Sequence, residues 1–435
     1  MADTELNLTL TEPMVPANDA ETLILDLVTP VDELETVSVE NSLGRVLGQT
    51  ISSQLDFPHW DNSAMDGYAV RHADVTAAPA TLTVVEEIPA GQVPQCTLQP
   101  GETARIFTGG MLPAGADTIV IQENTQREGE RVTVLESPAA QAFVRKQGSF
   151  YRAGADLLRS GTRIGATEIA VLAAAQCVPV PVYRRPRVAI LSTGDELVDV
   201  KQPLGPGQIV DSNRYALAAL VTQTGAVPMP LGIVPDQRAA TRQAIADALT
   251  QADMVISSGG VSVGDYDYVD QILAELGATI HIRSVAVKPG KPLTVATFAG
   301  TGGQHQLYFG LPGNPVSSLV SFWRFVQPAL RKLSGLSDGW SPTFVWATTD
   351  NELRASGKRE TYLWGQLSLR EAGYGFSLAS GGHSSGNLVN LSRTNGLARV
   401  PLGETRIEAG SEIKVLTLGS VLKTRTHDSA LGLGE

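Results

Sequence analysis

A chain of 435 residues holds roughly two to four domains of ordinary size, and its 43% apolar and 18% charged residues are the balance of a soluble globular protein. The net charge of −12 argues against a nucleic-acid partner, because a polyphosphate backbone is held by clustered Lys and Arg. With only Cys96 and Cys177, far apart, neither a disulfide framework nor a thiolate metal cage is indicated, and a reducing cytoplasm is expected.

The first residues carry Asp3, Glu5, Glu12 and Asp19 and no basic residue, the opposite of a secretory leader. Helical spacing is predicted at 23–28 and again at 167–175, so residues 1–50 and 150–182 read as one helical domain that the chain leaves and re-enters. Between them, residues 51–149 read as an inserted β-rich domain, with β-branched runs at 82–85, 118–121 and 131–135 between Gly, Pro and Asp turns. The longest apolar stretch, 169–183, is interrupted by Gln176, Pro179 and Pro181 and falls short of the roughly 20 residues of a membrane span, so no membrane segment is expected.

Residues 183–335 alternate strand and helix signals. Strands are predicted at 188–191, 228–234, 254–256, near 280–287 and at 307–309. The helices between them start at Asp211 or Ser212 (burying Ala216, Leu217, Leu220 and Val221, and ended by Gly225), at Asp236, at 268–276, and at Pro315. This is the pattern of a central doubly wound α/β domain. Strand spacing returns at 343–348, 365–369 and 412–418, giving a C-terminal β domain over 336–421 and a frayed tail over 422–435. The fold class is therefore multidomain, α/β plus β.

Three loops follow strands of the central domain: LSTGDEL (191–197), SSGGVSVGDYD (257–267) and GLPGNPVSS (310–318), with KPGKP (288–292) between the last two. In a doubly wound sheet such loops converge beyond the carboxyl ends of the strands, where ligands sit. Asn314 and Pro315 suit a helix start whose free N–H groups and dipole face an anion, and Gly310 and Gly313 let backbone approach it. Lys288 and Lys291 flank a Pro-Gly turn. Each could supply about 4 kcal/mol gross to an anion about 4 Å away at intermediate dielectric, more than a helix dipole. The carboxylates Asp195, Glu196, Asp236, Asp265 and Asp267 would repel a phosphate unless a hard cation joined them, and Mg2+ answers that need. The alternative is that Asp236 and Asp267 cap helices. The six histidines lack zinc-ligand spacing, and neither a nucleophile elbow nor a P-loop is present.

DNSAMDGYAV (61–70), TGGMLPAGAD (108–117), STGDEL, SSGGVSVGDYD, KPGKP and GLPGNPVSS, in this order, resemble the MoeA family of molybdopterin molybdenumtransferases, which includes the E domain of gephyrin; the resemblance spans about residues 20–420. It implies conversion of adenylylated molybdopterin and molybdate to molybdenum cofactor, with Mg2+ assisting and AMP released. It also implies a cytoplasmic homodimer of four-domain subunits, contact with the molybdopterin adenylyltransferase, and a cleft between the α/β domain of one subunit and the inserted domain of the other. The catalytic residues so implied are Asp66, Thr108, Glu196 and Asp267, with Asp236 and Asp267 on the metal. The implied substrate contacts are Asp156, Asp195, Gly259, Gly260, Ser262, Lys288, Lys291, Pro312, Asn314, Pro315, Ser317 and Arg359, with both lysines and Ser317 on molybdate.

The chain departs from the family pattern in two places. YRAGAD has Tyr151 and Ala155 where relatives often carry an arginine and an acid, and RETYLWG has Trp364 in place of a second arginine. Two other readings compete with the transferase. An adenylyltransferase would not need the MDGYA segment, and a scaffold role would call for a disordered linker or a second fused enzyme domain, neither of which is evident.

Overall fold

Apolar runs that end on Gly and polar turns build the central sheet. Its elements in chain order are β1 (Arg187–Thr193), α1 (Ser212–Thr224), β2 (Val227–Val234), α2 (Arg238–Leu249), β3 (Met254–Ser258), α3 (Tyr266–Glu275), β4 (Thr279–Ser284), β5 (Pro292–Ala299), β6 (His305–Leu311) and α4 (Pro315–Ser321). The computed structural model describes residues 13–260, 266–300, 305–419 and 422–423, with backbone alone for 266–268 and 422–423.

The strand order is β2-β1-β3-β6-β5-β4. The first four strands are parallel, as the doubly wound pattern predicts, while β5 runs antiparallel to both β6 and β4. That strand, PLTVATFA, was not expected. It is buried on both faces from Leu293 to Phe298, so it shows no alternation of polar and apolar positions. Period-two geometry sends successive residues to opposite faces. Val188 and Ile190 of β1 pack against Leu217 and Val221 of α1 on one side, and Ala189 and Leu191 against Ile245 of α2 and Ile272 of α3 on the other.

The helix Ala17–Leu27 places Ala17, Ala20 and Ile24 in the central core beside Phe325 and Leu330. The segments expected to form a helical domain do meet, but chiefly as strands: Leu34–Val37 pairs antiparallel with Val180–Tyr183, and Ile51–Ser52 with Asp156–Leu158. β-branched residues at 37, 51, 180 and 182 account for that difference, and the helix Ala166–Ala174 packs on them through Leu172.

Residues between these segments form a six-stranded sheet in the order Thr118–Ile121, Gly67–Val70, Glu102–Ile106, Ala80–Ile88, Arg131–Val134, Thr125–Glu128. Beyond the central domain, Phe344–Thr349, Gly373–Leu378, Glu360–Arg370, Gly396–Val400 and Glu412–Thr417 each pair with two others of these five and close into a barrel. Within the expected tail, Leu422–Lys423 pairs with Ser368–Leu369, and 424–435 lie outside the described residues.

The barrel is fastened to the central domain. Val287–Lys288 extends its sheet in parallel beside Glu360–Thr361, and Tyr362 and Trp364 enter the central core. Arg324, 1% exposed, ties these parts together by donating to Glu21, to Asn18 Oδ1 (2.9 Å) and to the Tyr362 hydroxyl (3.0 Å). Tyr362 in turn donates to Glu360 Oε1 at 2.6 Å, and Arg399 to Glu360 Oε2 at 2.7 Å.

Candidate active site

A cleft of ≈ 510 Å³ opens at the carboxyl ends of β1, β2, β3 and β6, within the range of about 300–1,000 Å³ of small-molecule sites. Thr193, Gly194, Glu196, Asp236, Ser258, Gly259, Gly260, Pro312, Asn314, Pro315 and Ser317 all line it, so the three glycine loops do form one rim.

Backbone geometry explains why these loops are glycine-rich. Gly259 and Gly260 have φ of +94° and +69°, and a Cβ on Gly259 would lie 2.2 Å from the Thr193 carbonyl oxygen. The Gly259 amide donates to Leu311 O at 3.3 Å, which draws the second and third loops together. Asn213 locks the same junction, its Nδ2 donating to Ser258 Oγ (2.7 Å) and Gly313 O (2.8 Å). This residue escaped the sequence reading. Its signal was a polar side chain four residues before Leu217, on the buried face of α1. Under the rim, Ser257 Oγ and the Tyr308 hydroxyl lie 2.6 Å apart, and burial pushes the Tyr308 phenol up to about 12.

The acids divide into three groups. Glu196 and Asp236 line the cleft, and Asp195 Oδ1 accepts the Asp236 amide at 3.0 Å. Asp236 does not lead α2 as expected, since the N-cap is Gln237. Ser262 and Asp265 lie outside the described residues, and Asp267 is described only as backbone in α3. Among the described residues no group of three or more His, Cys, Asp or Glu could hold a metal ion.

The start of α4 differs from expectation. Asn314 occupies the N-cap, but its side chain makes no capping bond. Pro315 has no N–H, the Val316 amide donates to Ser385 O at 3.1 Å, and the Ser318 amide donates to Asn314 O at 3.0 Å. The helix therefore does not present a full set of free amides: a barrel loop has taken one. That loop is held by the His383 ring, 4.4 Å from Trp364, and burial pushes the His383 imidazole below its usual value. Trp364, 1% exposed, fills a core position where a charged arginine would need a partner.

KPGKP connects β4 to β5 at the same rim. Pro292 lines the cleft, but neither Lys288, which is exposed, nor Lys291, which is half-buried, is among its lining residues. The Val285 amide donates to Lys291 O at 3.0 Å, and Arg359 Nη1 to Val287 O at 3.3 Å, so Arg359 sits against the strand that delivers Lys288.

Three expected residues lie elsewhere. Asp66 Oδ1 accepts both the Thr108 amide and the Thr108 hydroxyl at 2.7 Å, on the six-stranded sheet. Those bonds, the amide first, hold the Asp66 carboxyl below its usual range. Asp156 Oδ1 accepts from Ser52 Oγ at 2.8 Å, away from the cleft. At the first departure from the family pattern, Tyr151 stacks on Phe57 with ring centroids 5.3 Å apart.

Residues 15–175 match the family model described as the MoeA N-terminal region (domain I and II), 189–332 the probable molybdopterin binding domain, and 347–418 the MoeA C-terminal region (domain IV). The chain is 57% identical over 413 residues to the molybdopterin molybdenumtransferase of Nostoc sp., covering 93% of this chain and 94% of that one. It is 34% identical over 403 residues to the enzyme of the same name from Haemophilus influenzae, covering 90% and 97%. A solved structure of the molybdopterin biosynthesis MoeA protein from Pyrococcus horikoshii OT3 superposes with a TM-score of 0.80 at 27% identity, over 93% of this chain and 100% of that one. With all three family regions matched in order, the chain belongs to the MoeA family of molybdopterin molybdenumtransferases.

Proposed function

We propose that this chain is a transferase that inserts molybdate into adenylylated molybdopterin, releasing AMP and giving molybdenum cofactor. The observation that carries this reading is the single rim where the glycine loops and the cleft-lining carboxylates meet, and which the lysine turn reaches at Pro292. Gly259, Gly260, Pro312, Asn314 and Pro315 shape the wall for the substrate's phosphate side. Ser317, Lys288 and Lys291 hold the tetrahedral molybdate dianion beside it, where ammonium groups attract an oxyanion more strongly than neutral donors do. Arg359 supports the turn through Val287 O. Asp195 fixes the Asp236 backbone.

Three carboxylates line the cleft, Glu196, Asp211 and Asp236, and Asp211 is tied to Arg214 at 3.2 Å; a wall with so few acids and no histidine suits Mg2+, which usually takes one or two protein carboxylates and completes its shell with phosphate and water. Asp236 and Asp267 would hold it beside Glu196, and there it would neutralise charge on the nucleotide phosphate. Asp66 and Thr108 complete the site from a second copy of the chain, in a cytoplasmic homodimer. Asp156 contributes from the same side, and the molybdopterin adenylyltransferase delivers the substrate. Among the described residues no helix is long and apolar enough to cross a membrane.

Purified protein given adenylylated molybdopterin, molybdate and Mg2+ is expected to release AMP in step with molybdate uptake. ATP consumption without that release would overturn the reading in favour of an adenylyltransferase.

A further inference from the structure

The lysine turn rests on the side of the helix that begins at Pro315. Ser317, Ser318 and Ser321 of that helix are buried, and the Oγ atoms of Ser318 and Ser321, both 0% exposed, have no hydrogen-bond partner among the described residues. Gly290, the middle residue of KPGKP, has φ +112°, and a Cβ there would lie 2.7 Å from Ser321 Oγ and 3.5 Å from Ser317 O. Immediately after Ser321 the helix widens into five π-helical residues, Phe322–Val326, before α-helix resumes at Gln327–Leu333. Such bulges occur often at functional sites. The turn carrying both lysines thus sits on a buried, unpaired hydroxyl at the point where the helix leaves regular geometry.

A hydroxyl in this position is a poor choice for packing alone. Buried and unpaired, it is desolvated without return, and alanine would fill nearly the same volume. We infer that Ser321 is a positioning residue for oxyanion capture: its hydroxyl sets the seat of Gly290 and so aims Lys288 and Lys291 at the bound tetrahedral oxyanion. Ser317 touches the cleft directly, whereas Ser321 acts only through the turn above it. The pair is matched, since glycine at 290 leaves room for the Ser321 hydroxyl and any larger residue would collide with it.

This inference rests on the proposed use of the lysine turn for molybdate, and the experiment separates the two. AMP release is titrated with molybdate for the native chain, Ser321→Ala, Gly290→Ala and the double variant, with Tm measured for each. Ser321→Ala is expected to keep or raise Tm, to hold kcat within about twofold and to raise the KM for molybdate about tenfold, a split that loss of a merely structural contact would not produce. Gly290→Ala is expected to lose more, and adding Ser321→Ala to it should recover part of that loss by removing the colliding oxygen. Native turnover that depends on molybdate, together with an unchanged KM in Ser321→Ala, would overturn this inference alone. Native turnover without molybdate dependence would overturn the parent reading and this one with it. A Ser321→Ala chain that loses Tm and kcat together would mark the serine as structural and overturn the positioning role.

Discussion

The C-terminal barrel and the six-stranded N-terminal sheet are both all-β, yet they relate to the central domain differently. The barrel shares a core with it: Tyr362, Trp364, Leu397 and Leu416 belong to the same buried cluster as Val188, Ile256 and Phe309. It also lends backbone to the lysine turn through Glu360–Thr361 and to the start of α4 through Ser385. The N-terminal sheet keeps its own cores, whose residues run only from Tyr68 to Val144. A domain welded to the rim can fix the geometry of cationic groups there. One with separate cores can move as a body and be presented to another copy, as the proposed dimer requires.

The largest effect expected from breaking this contrast is at Arg324. Removing one partner from a buried, hydrogen-bonded charge network costs about 3–5 kcal/mol, because the remaining charges lose their compensation. Arg324→Ala should therefore lower the unfolding temperature by several degrees and loosen the barrel first, which hydrogen exchange at Tyr362–Trp364 would report. A melting temperature within a degree of native would show that the weld lies in apolar packing instead.

At the lysine turn the expected effect is smaller and purely functional. Lys291 is half-buried, and loss of one charge-assisted contact to an oxyanion is worth about 1.5–3 kcal/mol, roughly ten- to a hundredfold in kcat/KM. Lys291→Ala should show that loss against molybdate with its melting temperature unchanged. If the N-terminal sheet serves the neighbouring subunit, mixing Lys291→Ala chains with Asp66→Ala chains should restore activity, up to about a quarter of native, since half of randomly reassorted dimers carry one intact site. No gain on mixing would place both residues in one subunit's site.

What the sequence disclosed and what it hid follow from locality. Glycine loops behind apolar strands are local signals, and the rim they form was legible down to Gly259, Asn314 and Ser317. β5 stayed hidden because burial on both faces erases period two, and the closed barrel because ring closure joins Glu360–Arg370 to Gly396–Val400 by a pairing that no single segment announces. The amides of α4 were misjudged for a related reason: Ser385, which takes one of them, is about 70 residues away in the chain. Asn213 could have been found, because a polar residue on an apolar helix face calls for a buried partner.

The smallest expected effect is at Asp66, where the carboxylate is already satisfied by Thr108. Those bonds depress its pKa below the ordinary 3.8, so whatever the pair contributes to stability is present above that value and fades only as pH falls below it, through the folded-state pKa. Asp66→Asn keeps an oxygen able to accept from the Thr108 amide and removes only the charge. The variant should fold normally and lose about tenfold or less in rate. Its rate profile between about pH 5 and 8 should keep the native shape, because the native carboxylate does not titrate there. A variant whose acid limb moved within that window would mean that Asp66 carries a proton during turnover, which its bonds to Thr108 oppose. In that case closure of the second copy over the rim would have to strip Thr108 away, and the N-terminal sheet would be remodelled by the site it completes.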